Sequence, residues 1–313
     1  MFIKQAFNYQ YQFWRYIIGV IIIFIAVILG QIPFGVALFL KEGIGVSKLT
    51  ETEMMQVLDS NLSLFLMLLT FAVGLGGVFF VSKVLHNQPI KGLTTTRKKI
   101  DWRRFFFAFG LVAIFAIATT LLDYLANPEN YLFNFQLVPF LILVVIAIVM
   151  VPLQTSFEEY LFRGYLMQGI GVFVKNKWLP LILTSVIFGS LHFFNPEVTK
   201  LGNIIMIYYI GTGFMLGVMT LMDEGMELAL GFHAGNNLIT ALLVTADWTA
   251  FQTNSILKDI SEPTAGWNVI IPVFIVYPIF LYIMGKKYGW SNWKQKLFGR
   301  VEKPRMLNHL SDS

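Results

Sequence analysis

The sequence predicts an all-α polytopic membrane protein with about eight transmembrane helices and both termini in the cytoplasm. Composition is the first reason: of 313 residues, 56% are hydrophobic and only 13% charged, far from the balance of a soluble domain. The second is that the chain divides into apolar runs of roughly the 20 residues that a bilayer-spanning helix needs. The third is charge asymmetry, because Lys and Arg concentrate on alternate sides of those runs. A helix is the natural form for each run, since lipid offers no water to satisfy backbone N–H and C=O groups.

Taken in order, the expected spans cover residues 16–40, 62–82, 105–125, 137–157, 178–194, 203–222, 226–246 and 268–285. The first follows a weakly basic start and is longer than the apolar core of a signal peptide, with no small-residue cleavage site, so it is read as retained. The fifth is short, and only a brief polar link separates the sixth from the seventh. Nineteen of the 23 Lys and Arg fall on the side holding residues 1–15, 83–104, 158–177, 223–225 and 286–313, which is therefore the expected cytoplasmic side. An even number of spans keeps both basic ends there. The acidic stretch 41–61 on the other side reads as a solvated connection.

Residues 1–313 are expected to form one integral membrane domain with a core at about 137–246, followed by a basic cytoplasmic tail over 286–313. In that tail Trp290, Trp293 and Leu297 fall at helical spacing among lysines, as in a helix lying on anionic lipid, although a plain positive-inside topogenic tail is the favoured reading. The net charge of +5 resides mostly in the tail and in the basic run before the third span, so it argues for topology and against nucleic-acid binding. The chain has no Cys, which excludes thiolate metal sites, disulfides and a cysteine nucleophile, and the C-terminal HLSDS carries no prenylation box.

Ionisable residues in or beside spans are costly to place, so they form the list of functional candidates. Glu158, Glu159 and Arg163 stand at the end of the fourth span, His192 in the fifth, and His233 with Asn236 and Asn237 in the seventh. Asp123 needs only an interfacial position, and His86 and His309 lie in polar segments. If the helix continues past Ser156, Glu159 and Arg163 form an i, i+4 pair while Glu158 points about 100° away. One carboxylate is then matched and the other left as a base. His233 and Asn237 are again i, i+4, and Gly231, Ala234 and Gly235 beside them let another backbone come close. Taken singly, each cluster also fits an interfacial ion pair or interhelical hydrogen bonding. Together they supply what hydrolysis uses: a carboxylate for water, imidazoles and a carboxamide for an oxyanion. Two His and a Glu match an open tetrahedral zinc site equally well.

The three clusters, in this order, resemble the signature of the CPBP intramembrane proteases, the group that includes type II CAAX prenyl endopeptidases and bacteriocin-processing and immunity homologues. The pattern EExxxR, FxxxH and HxxxN reads here EEYLFR (158–163), FGSLH (188–192) and HAGNN (233–237). The resemblance implies an intramembrane endopeptidase in which Glu158 activates water and His192 orients it or shares the proton. His233 with Asn237 would stabilise the oxyanion, and Glu159 and Arg163 would support the site. Asn237 is a natural oxyanion donor and a poor zinc ligand, so a metal-free site with no cofactor is preferred, with zinc on Glu158, His192 and His233 as the alternative. The expected partners are the lipid bilayer and a membrane-associated peptide or protein, a prenylated CAAX tail being one candidate, and the expected location is a bacterial cytoplasmic membrane. A proton-coupled transporter would use similar residues but calls for internal repeats, which the sequence does not display. A catalytically silent immunity or scaffold protein of the same family is the other rival. The expected span boundaries leave one tension, with Glu158 near the interface, His233 about 10 Å deeper and His192 about 20 Å deeper.

Overall fold

The computed structural model describes residues 1–303 and is an all-α membrane protein. Eight long helices follow one another: α1 (Phe13–Glu42), α2 (Ser60–Val84), α3 (Trp102–Ala126), α4 (Leu137–Val174), α5 (Trp178–Ser190), α6 (Ile205–Asp223), α7 (Glu227–Leu243) and α8 (Trp267–Tyr288). Six of them, α1 to α4, α6 and α8, are long and apolar enough to cross a bilayer. The expected spans at 178–194 and 226–246 correspond to α5, of 13 residues, and α7, of 17, the first short of the roughly 20 residues that a spanning helix needs and the second at the lower end of the range.

Local chemistry explains several ends. Asp59 caps α2 by accepting from the N–H groups of Asn61 and Leu62, and Asp101 caps α3 through Arg103 N–H. Small residues set how near the helices come. Gly30 of α1 lies against the backbone of Thr70, and Gly77 of α2 against Ala26. Without a hydrophobic drive between helices in lipid, such close approach is what holds them. Outward-facing apolar side chains such as Phe24, Leu29, Phe106, Leu122 and Val145 are more than 40% exposed, as a lipid-facing surface requires.

The connections gather at two opposite ends. At one, Asp223 accepts from Arg97 (2.7 Å), Arg104 (2.5 Å) and the Trp290 indole (3.0 Å), while Glu227 accepts from Arg97 (3.0 Å). Lys296 reaches Glu224 (3.2 Å), the Phe2 N–H also meets Glu224, and Gln5 donates to the Thr95 carbonyl (2.6 Å). These contacts join segments that charge counting places on one side. At the other end Asn61 donates to the Pro139 carbonyl (2.9 Å) and Ala250 N–H to Glu197 (2.9 Å). A small three-stranded sheet also lies there, with Leu257–Asp259 antiparallel to Tyr131–Phe133 and parallel to Val244–Thr245. The stretch 41–61 holds the short helix Glu51–Val57, closed by a capping box between Thr50 and Glu53.

Three sequence expectations change. The fourth helix does not stop at 157: it runs to Val174 through a π-helical stretch, Tyr160–Leu166, because its polar residues find partners inside the protein. His86 is not a solvated residue but is 1% exposed, with Nδ1 2.6 Å from the Gln10 carbonyl and Nε2 2.9 Å from the Tyr165 hydroxyl. The tail does form a short helix, Trp293–Phe298, yet Trp290 and Leu297 pack on the protein core rather than on lipid. Residues 304–313 of the tail, including His309, lie outside the described residues.

Candidate active site

The long fourth helix carries most of the site. Gln154, Glu158 and, on the adjacent line, Glu159 and Arg163 follow the i, i+4 spacing of one helical surface. All are buried: Gln154 is 4% exposed, Glu158 8%, and Glu159 and Arg163 not at all. A charge so placed needs a partner with good geometry. Arg163 Nη1 donates to Glu159 Oε1 (3.0 Å) and Nη2 donates to the Gly213 carbonyl of α6 (3.0 Å), while its guanidinium lies 4.5 Å over the Phe188 ring of α5. One arginine thus ties three helices together around a carboxylate. The π-helical turn contains it, as such insertions often do at functional sites.

On α7, Gly231 and Gly235 lie against the backbone of Phe105 and Phe109 of α3, so close that a Cβ at Gly231 would stand 2.0 Å from a carbonyl oxygen. His233 points to α4. Its Nδ1 is 2.9 Å from Glu159 Oε1, and its Nε2 is 3.4 Å from Glu158 Oε2. Glu159, already paired with Arg163, can only accept, so Nδ1 carries a proton. One turn on, Asn237 Nδ2 donates to Gln154 Oε1 (3.3 Å), and Asn236 Nδ2 donates to Asn237 Oδ1 (3.1 Å).

His192 stands apart. It lies just past the end of α5, half-buried, with Nδ1 2.8 Å from the Phe188 carbonyl and its ring stacked on Tyr209 of α6 at 4.4 Å. Phe188 separates the two imidazoles, its ring 4.9 Å from His192 and 6.1 Å from His233. The structure therefore brings Glu158, Glu159, Arg163 and His233 into direct contact, sets Asn237 beside them, and places His192 one aromatic ring away. The depth tension is resolved for Glu158 and His233 by the continuation of α4. Among the described residues no group of three His, Cys, Asp or Glu side chains is placed to hold a metal ion, and Phe188 stands between His192 and His233.

Sequence reasoning missed Gln154, Tyr209 and the Gly213 carbonyl. Gln154 was findable, since it precedes Glu158 by one helical turn on the same face. The other two depend on which helices meet. Three polar atoms of the cluster, Glu158 Oε2, Glu159 Oε2 and Arg163 Nε, are buried with no hydrogen-bond partner. Buried polar groups in folded proteins are overwhelmingly paired, so three exceptions in one cluster make it a candidate for meeting a polar ligand.

A family model described as type II CAAX prenyl endopeptidase Rce1-like matches residues 135–239, the stretch that contains all three clusters. The chain is 30% identical over 263 residues to YyaK, an uncharacterized protein of Bacillus subtilis (strain 168), covering 84% of this chain and 88% of that relative. No solved structure matches.

Proposed function

Because the chain belongs to the CPBP intramembrane protease family, with an Rce1-like core, we propose that it is an endopeptidase that uses Glu158 to activate water. The observation that carries this reading is the Glu158–His233 pair: a buried carboxylate oxygen without a hydrogen bond, 3.4 Å from an imidazole nitrogen that Glu159 and Arg163 hold in place. In this reading Glu158 acts as the carboxylate base and His233 Nε2–H as the donor, so one pair of side chains supplies both roles that hydrolysis needs.

The steps follow. Glu158 takes a proton from water, and the oxygen adds to the scissile carbonyl carbon. The carbonyl electrons move onto oxygen, which receives hydrogen bonds from His233 Nε2–H and the Asn237 carboxamide. Collapse breaks the C–N bond, and the leaving nitrogen takes the proton held by Glu158. His192, across Phe188, orients the substrate or the departing amine. No step requires a metal.

His233 lies six residues into α7, about 9 Å from the end where the basic segments gather. With that end taken as cytoplasmic, cleavage takes place in the inner part of a bacterial cytoplasmic membrane, both termini are cytoplasmic, and the shorter α5 and α7 complete eight passes within the protein. The substrate is a membrane-associated polypeptide; prenylated CAAX tails and anchored peptide precursors are the candidates to assay.

The test uses purified protein in nanodiscs and a panel of fluorogenic membrane peptides, prenylated and not, with wild type and Glu158→Gln compared with and without a strong chelator. The expected result is cleavage by wild type in both conditions and loss of at least about a thousandfold in the variant. Full activity of Glu158→Gln removes the base assignment, and loss in chelator restored by zinc overturns the metal-free mechanism.

A further inference from the structure

We propose that Gln154 is a positioning residue of this site, holding the Asn237 carboxamide so that one of its N–H groups faces the oxyanion. The proposal rests on the protease reading above. An asparagine carboxamide rotates broadly about its last torsion, and left alone it would present oxygen or nitrogen to the substrate. Two bonds remove that freedom here. Asn236 Nδ2 donates to Asn237 Oδ1 (3.1 Å), and Gln154 Oε1 accepts from Asn237 Nδ2 (3.3 Å), which leaves the second Nδ2–H for a ligand.

The arrangement spans two helices as a ladder. Gln154 and Glu158 are one turn apart on α4, and Asn237 and His233 one turn apart on α7, with each rung joining the partner opposite. The helix that carries the base thereby also orients the oxyanion donor, so the distance between the two is fixed by a single pair of packed elements. Gln154 is 4% exposed, in a helix otherwise made of apolar residues from Leu137 to Leu153, so its placement carries a desolvation cost that a leucine would not.

The alternative is plain interhelical hydrogen bonding, which predicts a loss of stability with turnover intact. The experiment is a kinetic double-mutant cycle on full-length protein in nanodiscs with Gln154→Met, Asn237→Ala and the double variant, each with its Tm. Gln154→Met keeps the side-chain length but no acceptor. The expected result is a tenfold to hundredfold fall in kcat, below the cost of losing a whole oxyanion donor, with KM changed by less than about twofold. The double variant is expected to be no slower than Asn237→Ala alone. Wild-type kcat in Gln154→Met, or single-variant losses that multiply in the double, overturns the proposal while leaving the protease reading in place. Absence of any cleavage by wild type overturns both.

Discussion

The Arg163–Glu159 pair allows stability and catalysis to be separated. Its charges are 3.0 Å apart and neither side chain is exposed. At an effective dielectric constant near 20 their attraction is about 5–6 kcal/mol, most of which offsets the desolvation of bringing both groups inside. Removing Arg163 alone leaves Glu159 buried and unmatched except by His233, and also breaks the bond to the Gly213 carbonyl. Removal of one partner of a buried pair costs about 3–5 kcal/mol, and we take about 4 kcal/mol for Arg163→Met. With an unfolding entropy near 2.1 cal/mol/K per residue over 313 residues, that lowers Tm by about 6 °C. The combined variant Glu159→Leu/Arg163→Met has no uncompensated charge and is expected within about 2 °C of wild type. It nonetheless remains inactive, because His233 Nδ1 has lost its acceptor and the ring is no longer held toward Glu158. Thermal unfolding followed by tryptophan fluorescence in detergent gives the first quantity, and peptide cleavage the second. A double variant as unstable as Arg163→Met, or one that still cleaves, would refute the proposed coupling.

Three further outcomes are expected. Gly231→Ala places a Cβ 2.0 Å from the Phe105 carbonyl oxygen, which backbone cannot yield, so α3 and α7 must part at a cost of about 2–3 kcal/mol; a Tm shift below about 1 °C would show that the helices are not in that contact. Dialysis against a strong chelator should leave both Tm and cleavage unchanged, checked by metal analysis of the purified protein. His86 lies outside the spans, and burial, with Arg15 nearby, holds its imidazole below the ordinary value of 6.5. The unfolded chain therefore binds a proton first as pH falls, and the stability contributed by neutral His86 is present above about pH 6.5 and lost below it. Tm measured from pH 8 to 5 should fall in that lower range for wild type and stay flatter in His86→Gln.

Much of the site is legible in the one-letter code because helical periodicity is local. That Glu159 and Arg163 share a face follows from their spacing, and the structure places them in contact. The glycines around His233 point to a close backbone neighbour, and Phe105 and Phe109 of α3 provide it. Less legible are events that depend on partners distant in sequence. Counting apolar residues ends the fourth helix where charge begins, at Glu158. The chain continues to Val174 because Arg163 finds Glu159 and a carbonyl on α6, so its charge never needs water. His86 and Trp290 mislead in the same way: a polar or amphipathic segment looks solvated until Tyr165 or Asp223 is found beside it.

Sequence alone determined the membrane setting and the residue types of the three clusters. These depend on transfer energies and on the helical repeat, which every residue carries with it. Tertiary structure decided that His233, and not His192, meets the two glutamates, and that Gln154 meets Asn237. Such pairings are set by which helices approach closely and at what height, and that follows from packing among residues far apart in the chain.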